Sequence, residues 1–478
     1  MSSRNNSREP NTPFRNVDRA DSRQLVKRAG WIIALNLFVP GAVQVVAGNK
    51  KFGRLGILFT LGFWSFLALS LLFALVSKVA LFTLVTSPVL ATPIGIGFVI
   101  YAILIVVSTL DALRLMYVHR ITSRFKSILV VLVLLTGTLN GYIAGTIGST
   151  ALAASNFTST AFKNPDAFEP SKGRYNILVL GGDSGSNRMG LRPDSISVLS
   201  VSADTGMAVN IGLPRNLQRI QFKEGTPIRS VYPNGFNNNC EGECFLSSIY
   251  KVTMDNHKDL YPGISKKNST AGIEATRSAV EWVTGLEIDA YVLINMDSFV
   301  ELIDALGGIT VNVKKALPIG GQKDCVQSYE PSNPAEKENY RDGTPPETMG
   351  WYCPDAISWI EKGKQHMDGR TALWYARSRH NTNDYDRMKR QREIQNLVLK
   401  KIDLQTLLFR LNAVAGAGAK LIKTDIPGSS VPTLIDLALK ARSSGLKSLQ
   451  LTSPIISANN PDFRLMRQLI QQKIKKYK

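Results

Sequence analysis

At 478 residues the chain is too long for one small domain, and 57 Lys and Arg against 37 Asp and Glu leave a formal charge of +20. That balance calls for acidic partners: nucleic acid, anionic lipid or a phosphorylated substrate. The four histidines, His119, His257, His366 and His380, form no pair at zincin spacing and no Walker loop occurs, which sets aside a His-based zinc hydrolase and a P-loop nucleotidase.

Polar and apolar sequence are segregated. Residues 1–29 are polar and arginine-rich (Arg4, Arg8, Arg15, Arg19, Arg23) and lack a core-forming pattern, so a disordered basic tail is expected. They are too long and too polar for the n-region of a signal peptide. Apolar runs follow at 31–48, 55–77, 88–110 and 128–148. The last three reach the roughly 20 residues that cross a bilayer. The first is shorter and is broken by Pro40-Gly41. Cations cluster in the tail, in residues 49–54 (Lys50, Lys51, Arg54) and in residues 114–126 (Arg114, Arg120, Arg124, Lys126). The positive-inside rule puts all of these in the cytoplasm. This holds if residues 31–48 enter and leave on one side, as a hairpin bent at Pro40-Gly41, with three crossings after it. Four full crossings from a cytoplasmic N-terminus would instead leave two basic loops outside and the C-terminal domain inside. The expected organisation is therefore a membrane anchor over 30–149, a linker over 150–173 and an extracytoplasmic remainder.

Cysteine usage agrees with that placement. Cys240, Cys244, Cys325 and Cys353 all lie in the exterior part, and an even count in an oxidising compartment suggests two disulfides. Three connectivities are possible, of which Cys240–Cys244 with Cys325–Cys353 closes loops local in sequence. A metal site is the alternative, although no His stands near either pair at zinc-ligand spacing.

After the linker, residues 175–201 read as strand, glycine-rich loop, strand, with Asp183 and Asp194 at the two necks of the loop and Arg188 and Arg192 between them. Residues 208–213 form a third strand ending at Pro214-Arg215-Asn216. A helix over 271–284, a strand at 291–295, a helix over 298–306 and a strand at 309–313 follow. This alternation predicts an α/β domain, a mixed central sheet covered by helices. Residues 314–356 form a long polar insertion. Asp368 caps a helix running through Leu373 and Tyr375 to Arg377-Ser378-Arg379. A break precedes a second helix from Asp384 to Lys401, in which Asp384, Arg387, Arg390 and Gln391 share one face. A helical extension over 404–478, with one short strand near residues 449–451, ends in a basic amphipathic helix.

No Ser-His-Asp or Cys-His arrangement is present; arginine in short motifs stands out instead. Guanidinium forks bind phosphate oxygens bidentately and keep their charge. Magnesium takes one or two carboxylates and completes its shell with water and phosphate oxygens. Two aspartates with Arg192, Arg215, Arg377, Arg379, Arg387 and Arg390 fit that division of labour. The structural alternatives are an exposed, salt-bridged helix face for Arg387 and Arg390, a turn role for Arg215, and core positions for Trp374 and Tyr375.

In order, NILVLGGDS, RPDSISVLSV, IGLPRN, DAYVLINMDSFVELIDALGGITVNV and MDGRTALWYARSRH…DYDRMKRQR closely resemble the LytR-CpsA-Psr family of bacterial cell-envelope proteins, over roughly residues 174–403. The membrane block and the cysteine-bearing insertion are similar to actinobacterial members. The resemblance implies a phosphotransferase outside the membrane that moves a glycopolymer from an undecaprenyl-pyrophosphate carrier onto peptidoglycan or a related wall polymer. By motif, Asp183 and Asp194 match magnesium ligands. Arg192, Arg215, Arg377 and Arg379 match pyrophosphate-binding arginines. Asp384, Arg387, Arg390 and Gln391 match the face that closes the head-group site. A greasy pocket for the prenyl chain is implied, with residues 291–306 as lining. Asn216 departs from the family pattern, where Asp often follows the Pro-Arg pair. Hydrolysis of a lipid-linked pyrophosphate, or a non-catalytic envelope regulator, are the competing readings.

Overall fold

The computed structural model describes residues 22–121, 126–162, 169–182, 192–237, 240, 243–320, 326–327, 351–352, 356–378, 384–401 and 422–477. It divides into two compact units, Met1–Ser155 and Asn156–Lys478.

The first unit is helical: α1 (Ser22–Phe38), α2 (Ala42–Ala47), α3 (Lys50–Val76), α4 (Lys78–Thr86), α5 (Pro88–Leu115) and α6 (Lys126–Ala161), the last of which runs on into the second unit. Three helices, Lys50–Val76, Pro88–Arg120 and Lys126–Thr160, are long and apolar enough to cross a membrane. The first apolar run is a broken helix. Pro40 lacks an N–H, and Gly41 adopts φ +100°, so the α1 ladder stops and its last carbonyls need other donors. Asn140 Nδ2 bonds Leu37 O at 2.8 Å, Trp64 Nε1 bonds Phe38 O at 3.1 Å and Thr60 Oγ1 bonds Pro40 O at 2.9 Å. Unbonded carbonyls in an apolar medium cost several kcal/mol each, so these donors make the break tolerable. A Cβ at Gly41 would lie 2.7 Å from Gly53 O. Glycine here lets α2 fold back against the first turns of α3.

The second unit is built on a six-stranded sheet of order β11-β4-β1-β2-β3-β12. β1 (Arg174–Gly182), β2 (Pro193–Ser202) and β3 (Ala208–Leu213) form an antiparallel meander. Helices α7 (Pro227–Val231), α8 (Ile249–Asn256) and α9 (Ala271–Thr284) lead to β4 (Ala290–Ile294), which lies parallel to β1. Next come α10 (Met296–Ala305), β5 (Ile309–Val313), β6 (Leu317–Gly320), β7 (Val326–Gln327), β8 (Trp351–Tyr352), β9 (Ala356–Ile360) and β10 (Gly363–Met367). These strands pair off as β5 with β10, β6 with β9 and β7 with β8. The chain closes with α11 (Gly369–Arg377), α12 (Asp384–Lys401), β11 (Ile422–Thr424), α13 (Val431–Ser444), β12 (Lys447–Gln450) and α14 (Phe463–Lys476).

Alternation along the strands separates two faces. Leu178, Leu180, Ile196, Val198, Val209 and Ile211 point into a close-packed core with Ile273, Val280 and Val283 of α9 and Met466, Ile470 and Ile474 of α14. The odd-numbered residues of β1 and β2 point the other way, under α10 to α13, where packing leaves a cavity. Both faces are covered, which is why these strands read as nearly continuous apolar runs.

One expected boundary does not hold. Of residues 404–478, expected as a helical extension with one short strand, the described part (422–477) joins the sheet: β11 pairs antiparallel with β4, and β12 pairs parallel with β3. They form both edges of the sheet. Asp425 locks one edge, accepting from Tyr291 N at 2.7 Å and pairing with the buried side of Arg277.

Candidate active site

The cavity has a volume of about 820 Å³. Its bore is apolar: Ile177 and Val179 of β1, Leu199 and Val201 of β2, Val292 and Ile294 of β4, Leu302 of α10, Val398 of α12 and Leu437 of α13 line it. The expected contribution of residues 291–306 is thus made by Val292, Ile294, Phe299, Leu302 and Ile303. One end is polar, formed by Gly181, Gly182, Asp194, Arg377, Arg387 and Gln391.

The backbone explains why Asp194 stands there. Gly181 pairs with Ser195, yet Gly182 pairs with Pro193. β2 therefore carries one extra residue, a bulge at Asp194, and bulges redirect side chains at strand ends. Asp194 Oδ1 accepts from Arg215 Nη1 at 2.8 Å, and Oδ2 lies 3.9 Å from Arg387 Nη1. The second distance is too long for a hydrogen bond and counts as charge proximity. Arg387 is 2% exposed, so its charge is little screened. Arg377, in the last turn of α11, lies 5.9 Å from the ring centre of Trp374, and both line the cavity. Gln391 Nε2 reaches Ala376 O at 3.5 Å, so α12 is laid along the end of α11.

Not every expected residue faces the cavity. Arg390, expected to bind substrate, is turned into the fold: Nε donates to Tyr375 O at 2.8 Å and Nη2 donates to Ser378 O. It thereby satisfies carbonyls at the end of α11, the side-chain form of a C-terminal cap. Burial holds its pKa below the ordinary arginine value. At about 100° per residue, Arg390 falls about 60° to one side of Arg387 and Gln391 about 40° to the other. That divergence gives Gln391 to the cavity and Arg390 to the neighbouring helix. Arg192 also lies off the cavity wall, held by Ser248 Oγ at 2.7 Å and Glu243 Oε2 at 3.4 Å. Glu243 is next to Cys244, which is disulfide-bonded to Cys240 with Cα atoms 5.3 Å apart. Asp183, Arg379, Cys325, Cys353 and the side chain of Asp384 lie outside the described residues.

Sequence reasoning missed three contributors. Trp374, expected in the core, lines the cavity beneath Arg377. Gln395 accepts from Asn210 Nδ2 on the cavity wall; its i+4 spacing from Gln391 was a usable signal. Arg392 borders a small void with Asp194, Arg215 and Gln391, and nothing in its spacing marks it.

Asp194 is an oxygen donor of the type magnesium takes, and surrounding arginines suit a phosphate that would bring further oxygens. Among the described residues no three His, Cys, Asp or Glu side chains converge as a metal cluster.

Residues 141–478 match the LytR_cpsA_psr family model, and the chain belongs to that family. It is 30% identical over 284 residues to biofilm regulatory protein A of Streptococcus mutans, covering 58% of this chain and 55% of that protein. It is 22% identical over 276 residues to the polyisoprenyl-teichoic acid–peptidoglycan teichoic acid transferase TagU of Oceanobacillus iheyensis, covering 57% and 65%. The chain thus spans less than two thirds of these relatives' length. The crystal structure of B. subtilis TagV superposes with a TM-score of 0.42 at 18% identity, covering 64% of this chain and 99% of that one.

Proposed function

We propose that this chain is a membrane-anchored, extracytoplasmic phosphotransferase that moves a glycopolymer from a polyprenyl-pyrophosphate carrier, undecaprenyl in the reading drawn from the family, onto peptidoglycan or a related wall polymer. The observation that carries the reading is a single cavity whose apolar bore opens into a mouth of Asp194, Arg377, Arg387 and Gln391. A lipid pyrophosphate has the same two halves. The name of the TagU relative, a teichoic acid transferase, supports the reaction class. The Cys240–Cys244 disulfide supports an oxidising compartment, and the three apolar helices support the anchor.

In the reaction an acceptor hydroxyl oxygen attacks the phosphorus bearing the sugar. The bond from that phosphorus to the bridging oxygen breaks, polyprenyl phosphate leaves, and the hydroxyl proton is lost. Arg377 and Arg387 neutralise the phosphate oxygens during the displacement, and Gln391 donates to them. Asp194 fixes Arg215 and Arg387 against each other. Asp194 with Asp183 would hold magnesium, which when bound supplies further charge neutralisation at the phosphates.

Asp194→Asn in the full chain tests the assignment. We expect magnesium-dependent release of polyprenyl phosphate to fall by about 100-fold or more. Undiminished turnover would sink the role given to Asp194.

A further inference from the structure

Arg392 is 7% exposed, and its guanidinium lies against Gly212 of β3. A Cβ built on Gly212 would fall 1.6 Å from its Nη2 and 2.4 Å from its Cζ, so only glycine leaves room for the guanidinium there. Nη1 donates to Met388 O at 3.3 Å, while Nε is buried without a partner. No carboxylate among the described residues pairs with it, and burial alone pushes its pKa down to about 10. With Asp194, Arg215 and Gln391 it lines a void of about 10 Å³, room for about one water.

A desolvated cation without an opposite charge weakens a fold. Local rules are broken in this way where function uses the break. Here the surroundings say which use. Arg215 and Arg387 both meet Asp194, and Arg392, on the other side of the void they share with it, brings a positive charge with no carboxylate of its own, one that a phosphate would balance. From this we infer that Arg392 is a positioning residue of the phosphate site. It backs Asp194 and Arg215 across the water-sized void and adds fixed positive charge beneath the pyrophosphate without touching it. The inference rests on the pyrophosphate reading above and adds a residue that reading does not contain.

The test uses the full chain in detergent, with inorganic pyrophosphate as the calorimetric probe and a polyprenyl-pyrophosphate-linked saccharide for turnover. Arg392→Met, with Arg392→Gln as a second neutral variant, should weaken pyrophosphate binding about 10- to 100-fold, the range seen when outer supports of a site are removed. Arg392→Lys, which keeps the charge, should recover most of that loss. Removing the unpaired charge should also leave Tm unchanged or raise it by roughly 2–4 °C. Gly212→Ala, which displaces the guanidinium, should weaken binding while lowering Tm. Unchanged affinity in the neutral variants, or a loss that lysine does not restore, would overturn the inference while leaving the pyrophosphate reading intact. Failure of the unaltered chain to bind pyrophosphate would overturn both.

Discussion

Arg387 and Arg390 stand three residues apart on one helix and do different work. Arg387 is buried beside Asp194 on the cavity wall, whereas Arg390 holds the carbonyls of Tyr375 and Ser378 at the end of α11. Substitution should separate them. Arg387→Ala should reduce turnover by about 100-fold with a small change in stability, because it removes charge from where the phosphate would sit. Arg390→Ala should cost about 2–3 kcal/mol of unfolding free energy, since two buried carbonyls lose a charged donor. Turnover and urea unfolding of the two variants check this, and a reversal of the two effects would exchange the roles. The motif D-x-x-R-x-x-R-Q placed these residues on a common face of α12. It could not say that the face is shared between a cavity and the end of another helix, because that depends on where α11 stops. Trp374 shows the same limit. Its spacing fits a core helix, and only the gap left between α11 and the sheet makes it a wall of the cavity.

At the scale of elements, the C-terminal stretch matters most. β11 has three residues, too few to leave a periodic pattern in sequence, whereas the four-residue β12 matches the short strand expected near residues 449–451 but not its place at the sheet edge. The basic helix α14 was legible by its spacing, and its apolar stripe, Met466, Ile470 and Ile474, packs into the main core. The central strands β1 to β3 were also legible, because burial on both faces leaves long apolar runs. Edge strands take their place from pairing partners already present in the fold, and local sequence does not encode that. Asp425 joins such an edge to the body, through Tyr291 N and Arg277. Asp425→Ala should therefore cost about 1–3 kcal/mol, the range for leaving buried donors unsatisfied, because Arg277 keeps Glu274 Oε2 at 3.7 Å. Urea unfolding of the full chain measures it, and a loss below about 1 kcal/mol would show that β11 is not held by this pair.

At the scale of the whole molecule, the division into an apolar helical block and an α/β domain follows from segregation of apolar and charged sequence. Run length marked the three long apolar helices, and Pro40-Gly41 marked the break before them. The donors that make the break tolerable were not legible: Asn140, which serves Leu37 O, lies 103 positions away. The cavity was expected from family resemblance and not from periodicity, since a strand facing an apolar bore and one facing a packed core share the same pattern. In the proposed reaction that bore and its charged mouth act together. The most direct test is product analysis with the full chain, a polyprenyl-pyrophosphate-linked saccharide and nascent peptidoglycan fragments, with and without magnesium. The expected result is magnesium-dependent formation of a phosphodiester between saccharide and peptidoglycan, with one polyprenyl monophosphate released for each bond made. Release of free saccharide phosphate without any joined product would contradict transfer and leave hydrolysis in its place.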